Sequence, residues 1–339
     1  MFLWGDPPQR DETWLSYLSR TAQYLGTTVR GVVERTTGER WLRQDDLDID
    51  RHPYSRGAAA LRVMIPLDDQ TDMLARRRIQ EHMVGKSSRM QYCPLCAKAD
   101  LEQGRTPYFR WQWSTPFSLV CHDHDALLMT WQPSANSAVL KWPGAWLRSA
   151  SERPLPFPAW LQRDLDQIDS VRRLGSSIQD VPEVLRKVQR HFLGNECVHM
   201  NGEDQIQHEN VTRCIWSVIR LAAVAHKGSE LPPLADKLRP EEAPNWLLGP
   251  WRERHQRRYY TDAMKTFLVS RDLPWRRTVL WLVGRLLFGS NHPVRTGVGI
   301  LPSGNWENVW EEWVTPTVAP EVVFYAANLL DCLRLSTSR

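Results

Sequence analysis

Two short motifs limit what this chain can fold into: Cys93-Pro94-Leu95-Cys96, and later Cys121-His122-Asp123-His124. A C-x2-C pair turns tightly enough to aim two sulfurs at one point. A C-x2-H pair does the same with one sulfur and one imidazole nitrogen. Together they offer the four tetrahedral ligands that a structural zinc ion takes. The candidate metal ligands are therefore Cys93, Cys96, Cys121 and His124. His124 keeps the two-residue gap, whereas His122 adjoins Cys121 and is poorly placed to share its loop. Four protein ligands leave no open position, so the expected Zn2+ holds the fold together and does not activate water. Such binding is worth about 10–16 kcal/mol in small peptides, enough for a small local core to depend on it. Asp123 and Asp125 read either as outer partners of the imidazole or as exposed loop acids. Between the half-sites lie Tyr108, Phe109, Trp111, Trp113, Phe117 and Leu119, split by Pro116. They predict a short β-hairpin or a zinc-ribbon-like excursion.

Six Cys in 339 residues are too few and too unevenly spread for a disulfide scaffold. The opening Met1-Phe2-Leu3-Trp4-Gly5-Asp6-Pro7-Pro8 has neither a basic start nor an apolar core of the kind secretory signals carry. The longest apolar stretch, residues 278–288, is interrupted by Arg285 and falls short of the roughly 20 residues a membrane span needs. These features predict a cytoplasmic protein with reduced thiols. Cys197, His199, His208 and Cys214 form a second candidate metal set, but their spacing is not a strong metal pattern and better suits a core Cys with surface His residues. Cys332 reads as core of the last helix.

The fold class predicted is mainly α: an N-terminal helix-turn-helix, a zinc-knuckle or ribbon with a short β-hairpin, and a helical C-terminal domain. The expected domains are 1–85, 86–150 and 151–339. Asp11 is the expected N-cap of the first helix, with Glu12 in its first turn. Trp14, Leu15, Leu18, Ala22 and Leu25 recur on one face, and Gly26 ends the helix. Thr27 or Thr28 caps a second helix carrying Val29, Val32 and Val33, closed by Gly38. This outline suits a helix-turn-helix and also an ordinary helical hairpin. A helix over 71–83 carries Arg76, Arg77 and Arg78, with Lys86 and Arg89 after it. Three adjacent Arg spread about 100° apart around a helix, which suits a solvated basic face better than one stripe on phosphate. Pro133, Pro154, Pro156 and Pro158 mark a boundary near 150. Further helices are expected over 181–192, 211–226, 261–269, 274–288 and 320–335, with Pro274 in a first helical turn.

Composition narrows the function classes. With 43 basic and 39 acidic residues the net charge is only +4, compatible with nucleic-acid contact but far from a dedicated DNA coat. The 17 Trp suit either protein interfaces or bulky core filler. For an enzyme, one looks for a carboxylate cluster, a Gly-rich phosphate loop or a nucleophile–base pair, and none stands out. Asp45, Asp46, Asp48 and Asp50 read as a charged loop, and 252–258, rich in Arg, as the second basic patch.

The cysteine region resembles the TniQ/TnsD family of bacterial DNA transposition proteins. The family order is Tyr-Cys-Pro-x-Cys, an acidic residue, an aromatic-Arg-x-x-Trp segment, Cys-x-x-His and Leu. Here it stands as Tyr92-Cys93-Pro94-Leu95-Cys96, Asp100, Tyr108 to Trp113 with Arg110, Cys121, His124 and Leu127-Leu128. Asp11-Glu12-Thr13-Trp14-Leu15-Ser16-Tyr17-Leu18-Ser19-Arg20 is similar to the family's opening, and Met1-Phe2-Leu3 to members carried by transposons with their own CRISPR effector. The chain departs from the family's Cys-Pro-x-His by placing His122 after Cys121. The matching parts cover about the first third. The resemblance implies a non-enzymatic target-selection adaptor that links an RNA-guided Cascade effector to the AAA+ transposition ATPase and transposase. It further implies a homodimer, possible DNA or RNA contact, no membrane, and sequence readout delegated to base pairing. The alternative it carries is a direct sequence-specific DNA reader of TnsD type.

Overall fold

The computed structural model describes residues 8–38, 48–52, 55, 58, 83–84, 89–131, 159–171, 173–174, 178, 180–193, 219, 239–250, 272–288, 294–296 and 299–301. The helices expected over 71–83, 211–226, 261–269 and 320–335 lie outside these residues, apart from Met83 and Ile219. So do Lys86, the patch at 252–258, the second candidate metal set and Cys332. The chain divides into two compact units, Met1–Asp169 and Ser170–Arg339. It is mainly helical, with small two-stranded antiparallel sheets.

The first unit opens with a helical pair, α1 (Trp14–Tyr24) and α2 (Val29–Thr37). Leu18 and Ala22 of α1 meet Val32 and Val33 of α2, with Ile49 and Ala58 filling the same core and Trp14, Leu25 and Val29 at its edge. The turn is a Schellman motif. Gly26 sits at φ 62°, and the Thr27 N–H donates back to the Ala22 carbonyl. Thr28 Oγ1 then accepts from the Gly31 N–H, and Gly38 closes α2 at φ 71°. The second helix thus starts and stops as its cap residues predict.

The start of α1 differs from expectation. Asp11 is not its N-cap: Thr13 Oγ1 accepts from the Ser16 N–H, and the Asp11 carboxylate turns away to Tyr108 and Arg110. Glu12 is not in the first turn either. It precedes the helix, buried, and takes the Ser16 hydroxyl and two N–H groups of Arg20. The guanidinium and hydroxyl offer charge-assisted bonds, which outweigh the ~0.3–1 kcal/mol a carboxylate gains from a helix dipole. That dipole is met instead by Asp50, whose two oxygens accept from the Trp14 and Leu15 N–H groups at 2.6 and 3.0 Å. Asp48 and Asp50 do lie in a charged turn, but a buried one; Asp45 and Asp46 lie outside the described residues. Arg89 pairs with both Asp48 and Asp50. Arg89, expected on a solvated face, is only 5% exposed, because two carboxylates await it inside.

A ribbon of β1 (Gln91–Tyr92) and β2 (Met129–Thr130) brackets the cysteine region, pairing Gln91 with Thr130 and Tyr92 with Met129. The β structure expected between the half-sites lies mostly outside them. Within, the chain forms α3 (Pro94–Glu102), a 3-10 turn at Trp111–Trp113 and an isolated bridge of Val120 with Leu127. The cause is local: Pro94 occupies the first helical position and is followed by Leu, Ala, Lys, Ala, Leu and Glu, all good helix formers. Helix α4 (Ala159–Val171) supplies Trp160 to an edge-to-face cluster with Tyr92 and Trp131, and Asp164 accepts the Tyr92 hydroxyl.

In the second unit, α5 (Val181–Leu193) lays Val181, Val184, Leu185 and Val188 inward. It packs on α6 (Leu273–Phe288). Pro274 lies in the first turn of α6 as expected, and the Asp272 carboxylate accepts from the Trp275 N–H. Arg285 reaches Asp180 at 3.5 Å beside the start of α5. A hairpin of β3 (Val294–Thr296) and β4 (Gly299–Leu301) follows. A Cβ on Gly284 would lie 2.5 Å from Val184 Cγ1, 2.9 Å from Val188 Cγ2 and 3.2 Å from the Val184 carbonyl. Gly284→Ala gains about 1 kcal/mol of helix propensity but forces the helices apart, at about 1–3 kcal/mol. The expected result is a lower midpoint in chemical denaturation; an unchanged or raised midpoint would refute the close contact.

Candidate metal centre

Each half-site owes its shape to a local device. Cys93 is the N-cap residue of α3, so Pro94 and Leu95 carry the chain through the first turn and Cys96 arrives at the third helical position. Both sulfurs thus lie at the positive end of the helix, which favours thiolate. The second half-site is a single closed turn. The Cys121 N–H donates to the Ala126 carbonyl at 2.7 Å, and the Asp125 N–H returns to the Cys121 carbonyl at 3.0 Å. Asp125 adopts φ 51°, a left-handed conformation that Asp tolerates better than most residues. That reversal folds His124 back over Cys121.

The four predicted residues come together: one ligand atom from each of Cys93, Cys96, Cys121 and His124 lies within 4.8 Å of all the others. His124 Nδ1 stands 3.8, 3.2 and 3.8 Å from the sulfurs of Cys93, Cys96 and Cys121, and the Cys96 and Cys121 sulfurs are 3.6 Å apart. Bond lengths of about 2.3 Å to sulfur and 2.0–2.1 Å to nitrogen make tetrahedral edges of about 3.8 Å (S–S) and 3.6 Å (S–N). These four of the six edges match within a few tenths of an ångström, and the remaining two, from Cys93 to Cys96 and to Cys121, are under 4.8 Å. The donor set therefore fits a Zn2+ ion. His122, Asp123 and Asp125 are exposed in the same turn and are not members of the cluster.

The electrostatics point the same way. Burial pushes the Cys93 thiol up to about 12. Cys96 is pushed up chiefly because it donates toward Cys121 and Cys93, and Cys121 is pulled down as the shared acceptor. Three buried sulfurs on their own tolerate one thiolate; a divalent cation stabilises all three as anions.

Around the cluster lies a polar frame, most of which local spacing does not reveal. Arg110 bonds Asp11 at 2.8 Å and pairs with Asp100 at 3.5 Å. Its guanidinium lies 4.5 Å from the Tyr108 ring centroid and 5.0 Å from that of Trp113. Asp100, wholly buried, also takes Arg105 at 3.1 Å; burial raises its pKa and the two guanidinium groups oppose that rise. Gln91 Nε2 donates to the carbonyls of Trp113 and Thr115, which pins the 3-10 turn. The sequence signals for this frame are the aromatic-Arg-x-x-Trp segment, the acidic Asp100 after the first half-site and the Asp11 of the opening segment.

His124→Ala is expected to weaken zinc binding by more than the roughly 10–100-fold that loss of an outer partner costs, whereas His122→Ala leaves it unchanged. Competition against a chromophoric chelator reads both. Equal effects would refute the choice of imidazole.

No curated protein and no solved structure matches this chain. Residues 3–128, which hold α1, α2 and both cysteine half-sites, match the family model described as TniQ, and this supports the TniQ family for that stretch of the chain.

Proposed function

We propose that this chain is a target-selection adaptor of DNA transposition. In this reading Cys93, Cys96, Cys121 and His124 hold a structural Zn2+. The carrying observation is that the stretch matching TniQ coincides with the clustered three-Cys, one-His donor set. Four protein donors fill a tetrahedral ion's positions, which suits a scaffold and not hydrolytic chemistry. The work of such a protein is then contact: joining an RNA-guided Cascade effector to the AAA+ ATPase that recruits the transposase, as a homodimer in the cytoplasm. The likeness of Met1-Phe2-Leu3 to members carried by CRISPR-equipped transposons and the small net charge favour this branch. None of the described helices is long and apolar enough to cross a membrane.

Co-expression with the effector and its guide RNA tests the proposal. The expected result is stoichiometric co-elution from size exclusion, with two copies of this chain per complex; consistent separation would overturn the Cascade branch. A second reading, direct DNA recognition of TnsD type, rests on the capped helical pair, whose α2 exposes Arg30 and Arg35. It requires a sequence preference that survives moderate salt, where plain phosphate contact weakens steeply.

A further inference from the structure

We propose that Arg110 is the positioning residue that ties the N-terminal helical pair to the Cys93–His124 metal centre, so that metal occupancy sets how firmly α1 is docked. The inference deepens the zinc reading above and rests on it.

The residues flanking Arg110 form a plate with one partner on each side. On one side the N-terminal segment is stitched to it by backbone. The Thr13 N–H donates to the Phe109 carbonyl at 2.8 Å, and the Trp111 N–H donates to the Asp11 carbonyl at 3.0 Å. These bonds make the antiparallel bridge of Glu12 with Arg110. The Phe109 N–H adds a bond to Ser16 Oγ, inside the first turn of α1. On the other side lies α3. Asp100 stands four residues after Cys96, one turn along the same helix face. One guanidinium spans both sides, with Nε on Asp11 and Nη2 on Asp100. Arg110 is 8% exposed and clamped against Tyr108 and Trp113. It has little freedom to let one side move without the other.

Charge gives the link a direction. Three thiolates and a neutral imidazole around a dication leave one net negative charge in a buried place. Arg110 is the buried cation beside it, ion-paired to both Asp11 and Asp100. Its Nη1 is buried with no hydrogen-bond partner, so that part of the group contributes through its field. With the centre formed, α3 is fixed by Cys93 and Cys96 and holds Asp100 beneath Arg110. With the half-sites apart, α3 loses its anchor at the first turn. Asp100 then no longer constrains Arg110, and the 109–111 plate loosens under α1.

The test uses the full-length chain, with and without one equivalent of Zn2+, and reads amide hydrogen exchange separately in 14–24 and 94–102. In the native protein zinc is expected to slow exchange in both segments, by tenfold or more in α1. In Arg110→Gln, zinc still binds at one equivalent and still protects 94–102, but protection of α1 changes less than twofold. Arg110→Lys, which keeps the charge and loses the fork, restores part of the response. Zinc-independent protection of α1 in the native protein overturns the linkage, as does a full α1 response in Arg110→Gln. If the native protein binds no zinc, it is the metal reading itself that fails, a result recognisable from metal content alone.

Discussion

Cys121→Ser is expected to leave the protein with less than one equivalent of zinc and to release residues 92–128 from a single fold. Cys121 is the sulfur toward which Cys96 lies at 3.6 Å, and its backbone closes the turn that carries His124. A serine oxygen is a harder, shorter ligand whose proton is not lost at neutral pH, so two sulfurs and one nitrogen remain. Binding of structural zinc in small peptides is worth about 10–16 kcal/mol, comparable with the ~5–15 kcal/mol by which a whole domain is usually stable. A substantial fraction of that suffices to unfold the segment. The pH dependence has a definite sign. Without a cation, burial holds the Cys93 thiol near 12, so binding must expel protons that the site otherwise keeps. Affinity therefore rises with pH, and acidification drives metal out. Metal analysis after gel filtration, and zinc release followed with an indicator dye as pH falls, check both statements. A Cys121→Ser protein with native metal content would end the ligand assignment.

Arg89→Leu is the second large effect. Arg89 is the shared partner of Asp48 and Asp50, all three of them buried. Removing one member of a buried pair costs about 3–5 kcal/mol, because a charge is left uncompensated, and here two carboxylates are left. Asp50 also caps α1 through the Trp14 and Leu15 N–H groups, a service worth about 0.5–2 kcal/mol. Burial already raises the Asp50 pKa, and Arg89 opposes that rise. Without Arg89 the pKa climbs further, so the variant takes up a proton on Asp50 more readily than the native protein does. A carboxyl whose folded pKa lies above its unfolded value favours the folded state at low pH and loses that contribution as pH rises through the folded pKa. The gap in stability between native and Arg89→Leu protein is therefore expected to be widest near neutrality and to narrow on acidification. Urea denaturation at pH 7.5 and again near pH 6 measures it, with metal content checked at each. A constant gap would mean that Asp50 is not the group left unpaired.

These contrasts show which physics is written locally. The caps of α2, the stop at Gly26 and the gathering of Cys93, Cys96, Cys121 and His124 follow from spacings of a few residues, each with a single steric or coordination cause. The signal for α3 is also local, in Pro94 and the helix formers behind it, whereas the aromatic run from Tyr108 onward has strand-like composition but forms a 3-10 turn and an isolated bridge. Asp48 and Asp50 are different. Arg89 lies 41 and 39 residues from them, and nothing in an Asp-rich run distinguishes a solvated loop from a pair of buried anchors until the chain has closed. Asp11 and Glu12 carried a true helix-start signature, yet better partners in Arg110 and Arg20 drew both away.

Exposure is uneven across the four-residue cluster. The three sulfurs are sealed, while the imidazole of His124 faces water. Exchange with outside chelators therefore has one doorway, the nitrogen corner, where an incoming ligand displaces a neutral group first. Thiol-directed oxidants and alkylating reagents find no such entrance. A loaded centre should trade its ion slowly while its cysteines resist labelling until the histidine has swung clear.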